Sequence, residues 1–111
     1  MKTTSPHLLR LLAATALMLA ANTASQAQDK ATQLHNRATA AMCANCHGTE
    51  GRTIDGSAIP SLAGMPKEYH VLQMQAFKNG TRPATVMHQI TKGLTDAQID
   101  TIASYYATTK R

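Results

Sequence analysis

Apolar positions along the 111 residues recur at helical rather than strand spacing. Residues 31–42 are Ala-rich and free of Gly and Pro. Leu34, Ala38, Ala41 and Met42 share one face there, predicting a helix whose small buried residues suit close approach of another helix. Residues 48–57 hold three of the six glycines and read as a loop. Residues 59–64 continue it as an extended segment, because Pro60 biases the chain away from helix. Pro66 suits the start of a second helix, with Tyr69, Leu72, Ala76 and Phe77 on one face and Gly80 as the stop. Arg82-Pro83 opens a loop, and residues 85–90 predict a short helix carrying Met87. Thr95-Asp96-Ala97-Gln98 is a capping box for a last helix, whose stripe is Ile99, Ile102, Ala103 and Tyr106 with Tyr105 adjoining. Lys110 and Arg111 suit its negative C-terminal end. No repeat or second globular domain is visible. The fold class is all-α, one small domain of three to five helices.

The first 27 residues follow a different pattern. Lys2 and Arg10 precede the uncharged apolar run 11–21, and Ser25-Gln26-Ala27 supplies small residues where a signal peptidase reads. That run is far shorter than the roughly 20 residues a membrane-spanning helix needs. Residues 1–27 are therefore expected to be a cleaved export signal for the general secretory route, since no twin arginine is present; an uncleaved membrane tether is the weaker alternative. Residues 28–111 then form the mature domain, without a membrane span. Lys2 and Arg10 leave with the signal and no acid does, so the formal charge falls from +5 to +3. A domain of 84 residues with one Phe, three Tyr and no Trp has a marginal core. It needs a staple, and without one the chain is expected to fold poorly.

The candidate staple is written at Cys43-Ala44-Asn45-Cys46-His47. These are the only two cysteines, and C-x-x-C-H is the spacing of covalent haem attachment. Two thiols three positions apart on one helical turn each reach a vinyl group on the same porphyrin edge. His47 then follows to offer an imidazole nitrogen to the iron. Rival readings lack their own requirements. A structural zinc site needs four ligands, and His7, His35, His70 and His88 show no paired spacing. A redox dithiol belongs in a βαβ context, and a disulfide across two residues is a strained staple.

A haem iron held by His47 is defined by what stands opposite. A second firm protein ligand favours electron transfer, because both oxidation states keep one coordination. An open position favours gas binding or catalysis. Met42 adjoins Cys43 on the wrong side, and Met74 lies within a helix, where Met is ordinary core filler. Met65 and Met87 both remain within reach; Met87 follows a helix that lets the chain travel round the haem edge. His88, beside Met87, is a candidate exchange ligand.

Residues 34–106 resemble a class I c-type cytochrome. The resemblance is carried by Cys43-Ala-Asn-Cys46-His47-Gly48-Thr49-Glu50-Gly51, Ile59-Pro60-Ser61-Leu62-Ala63-Gly64, Phe77-Lys78-Asn79-Gly80-Thr81-Arg82, Ala84-Thr85-Val86-Met87 and the helix of residues 94–106. The chain is similar to single domains of the cytochrome c4 type. Met87-His-Gln-Ile90-Thr-Lys92-Gly93 brings it closer to the cytochrome subunit of flavocytochrome c sulfide dehydrogenase. The resemblance implies one covalent haem c, His47 and Met87 as axial ligands, and a Pro60 carbonyl that accepts the His47 N–H. It also implies that Ile102 and Tyr105 pack on the N-terminal helix, at Ala38 or Ala41, and that Arg82 meets a haem propionate. The implied place is the periplasm, with a flavoprotein donor and a downstream electron acceptor as partners. A freely diffusing carrier to an oxidase or reductase is the alternative, and a gas sensor or peroxidase with a labile distal Met is an alternative of another class. Lys67, Lys78, Arg82, Lys92, Lys110 and Arg111 form no single run; a basic rim would steer acidic redox partners, and nucleic-acid binding has no support.

Overall fold

The structure is a computed structural model that describes residues 6–111. Lys2, the first charge of the expected export signal, lies outside the described residues. Five α-helices follow in order: α1 (Pro6–Ala40), α2 (Ala44–His47), α3 (Lys67–Lys78), α4 (Met87–Lys92) and α5 (Asp96–Thr108). Short 3-10 turns at Ala41–Cys43 and Thr49–Gly51 flank α2, and no strand occurs among the described residues. The chain divides into two compact units at Leu34/His35. In the first unit α1 exposes Leu11, Leu17, Met18 and Leu19. No helix among the described residues is long and apolar enough to cross a membrane.

In the second unit, α3 packs on both α4 and α5. The core gathers Ala40, Leu62, Met74, Leu94, Ile99, Ile102 and Tyr106, with Cys43, Met65, Val71, Met87 and Tyr105 packed against it. α5 begins as its sequence predicts. The Thr95 hydroxyl accepts the Gln98 N–H, the Gln98 side chain accepts the Thr95 N–H, and Ile99, Ile102, Ala103 and Tyr106 are buried. Lys78 Nζ then donates to Leu94 O and Asp96 Oδ1, both at 2.8 Å, joining the end of α3 to the start of α5.

Two expected faces differ. α3 buries His70 and Met74, whereas Tyr69 is 50% and Leu72 62% exposed. The stripe facing α5 runs about a third of a turn from the apolar one that periodicity picked out. In the N-terminal helix the buried residue is Ala40, and Leu34, Ala38, Ala41 and Met42 are exposed. Helix crossings need a small residue at closest approach. Which alanine meets α5 is set by register between distant segments, so Ala40 replaces the expected Ala38 or Ala41.

Candidate functional site

Cys43, Cys46 and His47 are presented by a change of helix type. α1 ends at Ala40, and the next turn tightens to 3-10 geometry, with the Ala44 N–H donating to Ala41 O. α2 follows for a single turn and ends at His47. Gly48 then reverses the chain at φ +79°, where an added Cβ would collide with the Arg52 carbonyl. Gly51, at φ +75°, lies so close to the Tyr106 ring that a Cβ would stand 2.6 Å from Cε1. These two glycines let the loop fold back under the helix that carries the motif.

His47 is buried, and its Nδ1 lies 2.7 Å from Pro60 O. A carbonyl only accepts, so Nδ1 carries the proton and Nε2 keeps its lone pair for a metal. The segment around Pro60 is itself held: Leu62 N, Ala63 N and the Ser61 hydroxyl all donate to Gly51 O, at 2.8, 3.1 and 2.7 Å. The cysteines are inequivalent. Cys46 is exposed and Cys43 is half-buried, and they form no disulfide with each other. Burial pushes the Cys43 thiol up. The Tyr106 hydroxyl donates to Ala40 O at 2.9 Å, and burial pushes its pKa up as well.

Met87 opens α4, half-buried against the same core as Cys43 and Met65, and its carbonyl accepts the Thr91 hydroxyl at 2.8 Å. Met65, with Ile54, Ile59, Pro60 and Tyr69, lines an open cavity of about 620 Å³. Arg82, the expected propionate partner, lies at the far end of α3. Its guanidinium donates to Gln73 Oε1 and stacks over the Phe77 ring, 4.5 Å from the centroid.

Two histidines acquire a meaning the sequence did not show. His70 is 3% exposed with Nδ1 unpartnered, its ring 5.9 Å from that of Tyr106. Burial first, and then the repulsion that would arise if His47 were protonated too, lowers its pKa to about 4, so it is a neutral core group. The one available signal was its position one turn before Met74 on α3. His88 also holds a buried Nδ1 without a partner.

Among the described residues, no three His, Cys, Asp or Glu side chains gather as a metal-ion cage. Two thiols, an imidazole with Nε2 free and thioethers within the same core are the donor set for a covalently held haem. The His47 tautomer is the one this requires, so the residues fit the group.

Comparison with known proteins agrees. The cytochrome subunit of sulfide dehydrogenase from Chlorobaculum tepidum is 45% identical over 64 residues, 58% of this chain and 56% of that protein. A thiosulfate dehydrogenase electron acceptor from Thiomonas intermedia is 38% identical over 71 residues, 64% of this chain and 33% of that protein. A solved structure of cytochrome c4 from Acidithiobacillus ferrooxidans is similar with a TM-score of 0.56 and 39% identity, covering 60% of this chain and 37% of that one. The chain thus spans between a third and just over half of the length of these relatives. Over residues 27–105 it matches the family described as cytochrome c oxidase, cbb3-type, subunit III, and the chain belongs to that family of c-type cytochrome domains, which bind haem c covalently.

Proposed function

We propose that the chain is a periplasmic one-electron carrier in which Cys43 and Cys46 bind haem c, His47 and Met87 are the axial ligands, and Pro60 orients His47. The observation that carries this reading is the 2.7 Å approach of His47 Nδ1 to Pro60 O within the C-x-x-C-H motif. When bound, the haem supplies a single electron-accepting iron. The residues do the rest. Pro60 holds the imidazole in one tautomer and raises its basicity as a ligand. Met87 offers a soft sulfur that favours the ferrous state and raises the reduction potential. Arg82 has the lesser part of propionate partner, for which it would exchange Gln73.

Residues 1–27 act as the export signal, and residues 28–111 remain as the working domain. The partner is a sulfide-oxidising flavoprotein, which would pass electrons singly to this haem and onward to a downstream acceptor. The similarity to a sulfide dehydrogenase cytochrome subunit supports this partner. The similarity to a thiosulfate dehydrogenase electron acceptor supports the second reading, a carrier that diffuses between redox enzymes. Lys67 and Lys78 pair with Asp100 and Asp96, so of the expected basic rim they are the least free to meet a partner. Lys92 and Lys110 are exposed, and no ion pair engages them among the described residues.

Absorption spectra with and without carbon monoxide test the ligation. The wild type should be low-spin and indifferent to carbon monoxide, and Met87→Ala should become high-spin and bind it. A wild type that binds carbon monoxide would bring forward the gas sensor or peroxidase. A low-spin mutant would transfer the distal role to Met65 or His88. Co-purification from the native host separates the flavoprotein subunit from the free carrier.

A further inference from the structure

The junction between α1 and the haem-binding motif contains an exchange of hydrogen bonds that electron transfer does not require. The tightening to 3-10 geometry moves the Ala44 N–H onto Ala41 O. In a continuing α-helix that N–H would have served Ala40 O. Ala40 O instead accepts the Tyr106 hydroxyl at 2.9 Å, a bond spanning 66 residues of sequence inside the core. Tyr106 is 1% exposed and cannot shift: Gly51 lies against its ring edge, its own carbonyl accepts the Gly64 N–H at 2.9 Å, and Tyr105 and His70 flank it. Cys43, one 3-10 turn beyond Ala40, packs against the same core cluster as Tyr106. Cys46, by contrast, is exposed.

We propose that Tyr106 is a positioning residue for haem attachment: its hydroxyl, by holding Ala40 O, fixes the 3-10 turn that carries Cys43 and so sets the direction from which that sulfur meets a haem vinyl group. This rests on the reading of Cys43 as a haem-bonded residue. In the attachment the Cys43 S–H adds across the vinyl C=C. A C–S bond forms at one vinyl carbon, the thiol hydrogen ends on the other, the π bond is lost, and nothing is oxidised, reduced or expelled. Cys46 is exposed and reaches its vinyl group by free rotation. Cys43 is half-buried, and its sulfur must already face the right way. A buried side chain held off-angle has few rotamers through which to correct itself.

The test is Tyr106→Phe in the full chain, matured with haem, beside wild type and Tyr105→Phe. Each protein is denatured, alkylated and mapped for residual thiol at Cys43 and Cys46. Loss of one oriented hydrogen bond should slow Cys43 bonding by roughly three- to tenfold. Tyr106→Phe should therefore accumulate haem bound through Cys46 alone, with alkylated Cys43. Its pyridine haemochrome band should shift to the red, because one vinyl group stays conjugated. Tyr105→Phe should match wild type. Full bonding at both cysteines in Tyr106→Phe would overturn the proposal, and so would residual thiol shared equally between them. A Phe variant that reaches no folded holoprotein would assign the hydroxyl to stability alone and overturn it too. If the wild type itself carries free thiols at both positions, the reading of the motif fails rather than the role of Tyr106 alone.

Discussion

His47 is tied through its own ring to a distant segment, whereas Met87 is held by its backbone and by packing. His47 is fixed to Pro60, the Pro60 segment to Gly51, and the helix entering the motif to Tyr106. Met87 begins a helix of six residues whose N-cap, Val86, makes no side-chain cap bond. Val86 is 52% exposed, and the neighbouring His88 keeps a buried ring nitrogen without a partner. A helix so short contributes little by itself and is held by packing on α3. The difference teaches which of the two proposed iron ligands the fold itself fixes. Both short helices lack a side-chain cap, but the His47 ring is anchored to Pro60, whereas no hydrogen bond holds the Met87 side chain and local fluctuation can open its turn.

The comparison breaks most visibly at the attachment itself. The double variant Cys43→Ala/Cys46→Ala should retain no haem through denaturation, and it should lose its cooperative thermal transition, because so small a core lacks its staple. A sharp melt without haem would mean that the helices around His47 are sufficient alone.

Ile102→Ala removes a fully buried side chain from the core behind both regions and should cost about 2–5 kcal/mol. Denaturant melts would show it. In the wild type, if Met87 is the distal ligand, the low-spin spectrum should fade at lower denaturant than helical circular dichroism. Coincident curves would erase the distinction between the two sides.

A smaller effect comes from His70. Its folded pKa is about 4 against an ordinary 6.5, so below 6.5 the unfolded chain binds the proton more readily. Stability should therefore decline as pH falls from about 6.5 to about 4, by at most ~3 kcal/mol from this group. His70→Leu should flatten that limb of a pH–stability curve, and an unchanged slope would place the acid sensitivity elsewhere. The least effect is expected at Thr95→Ala, which removes one capping bond from α5 and should cost about 1 kcal/mol with no change in the haem spectrum.

The legible parts of the chain were those whose signal is local. The capping box at Thr95 and Gln98, the Ile99–Tyr106 stripe and the C-x-x-C-H motif each lie within a few turns, so periodicity and spacing suffice to read them. Pro60 was expected opposite His47 only by resemblance, and the hydrogen bond is present. On α3 the periodicity failed, since Tyr69 and Leu72 make as good an apolar stripe as His70 and Met74. A helix sequence states which faces are apolar, and only its neighbours decide which of them is covered.

By itself, then, the sequence determined an all-α domain and the chemistry of its attachment motif, because helix propensity, capping and ligand spacing act over a few residues. Tertiary structure alone decided that Ala40 takes the crossing, that His70 is buried and neutral, that Arg82 is occupied by Gln73 and Phe77, and that the Tyr106 hydroxyl reaches back to the motif. Each of these depends on the register between segments far apart in the chain. Register is set by the close packing of whole side chains, which no local pattern encodes.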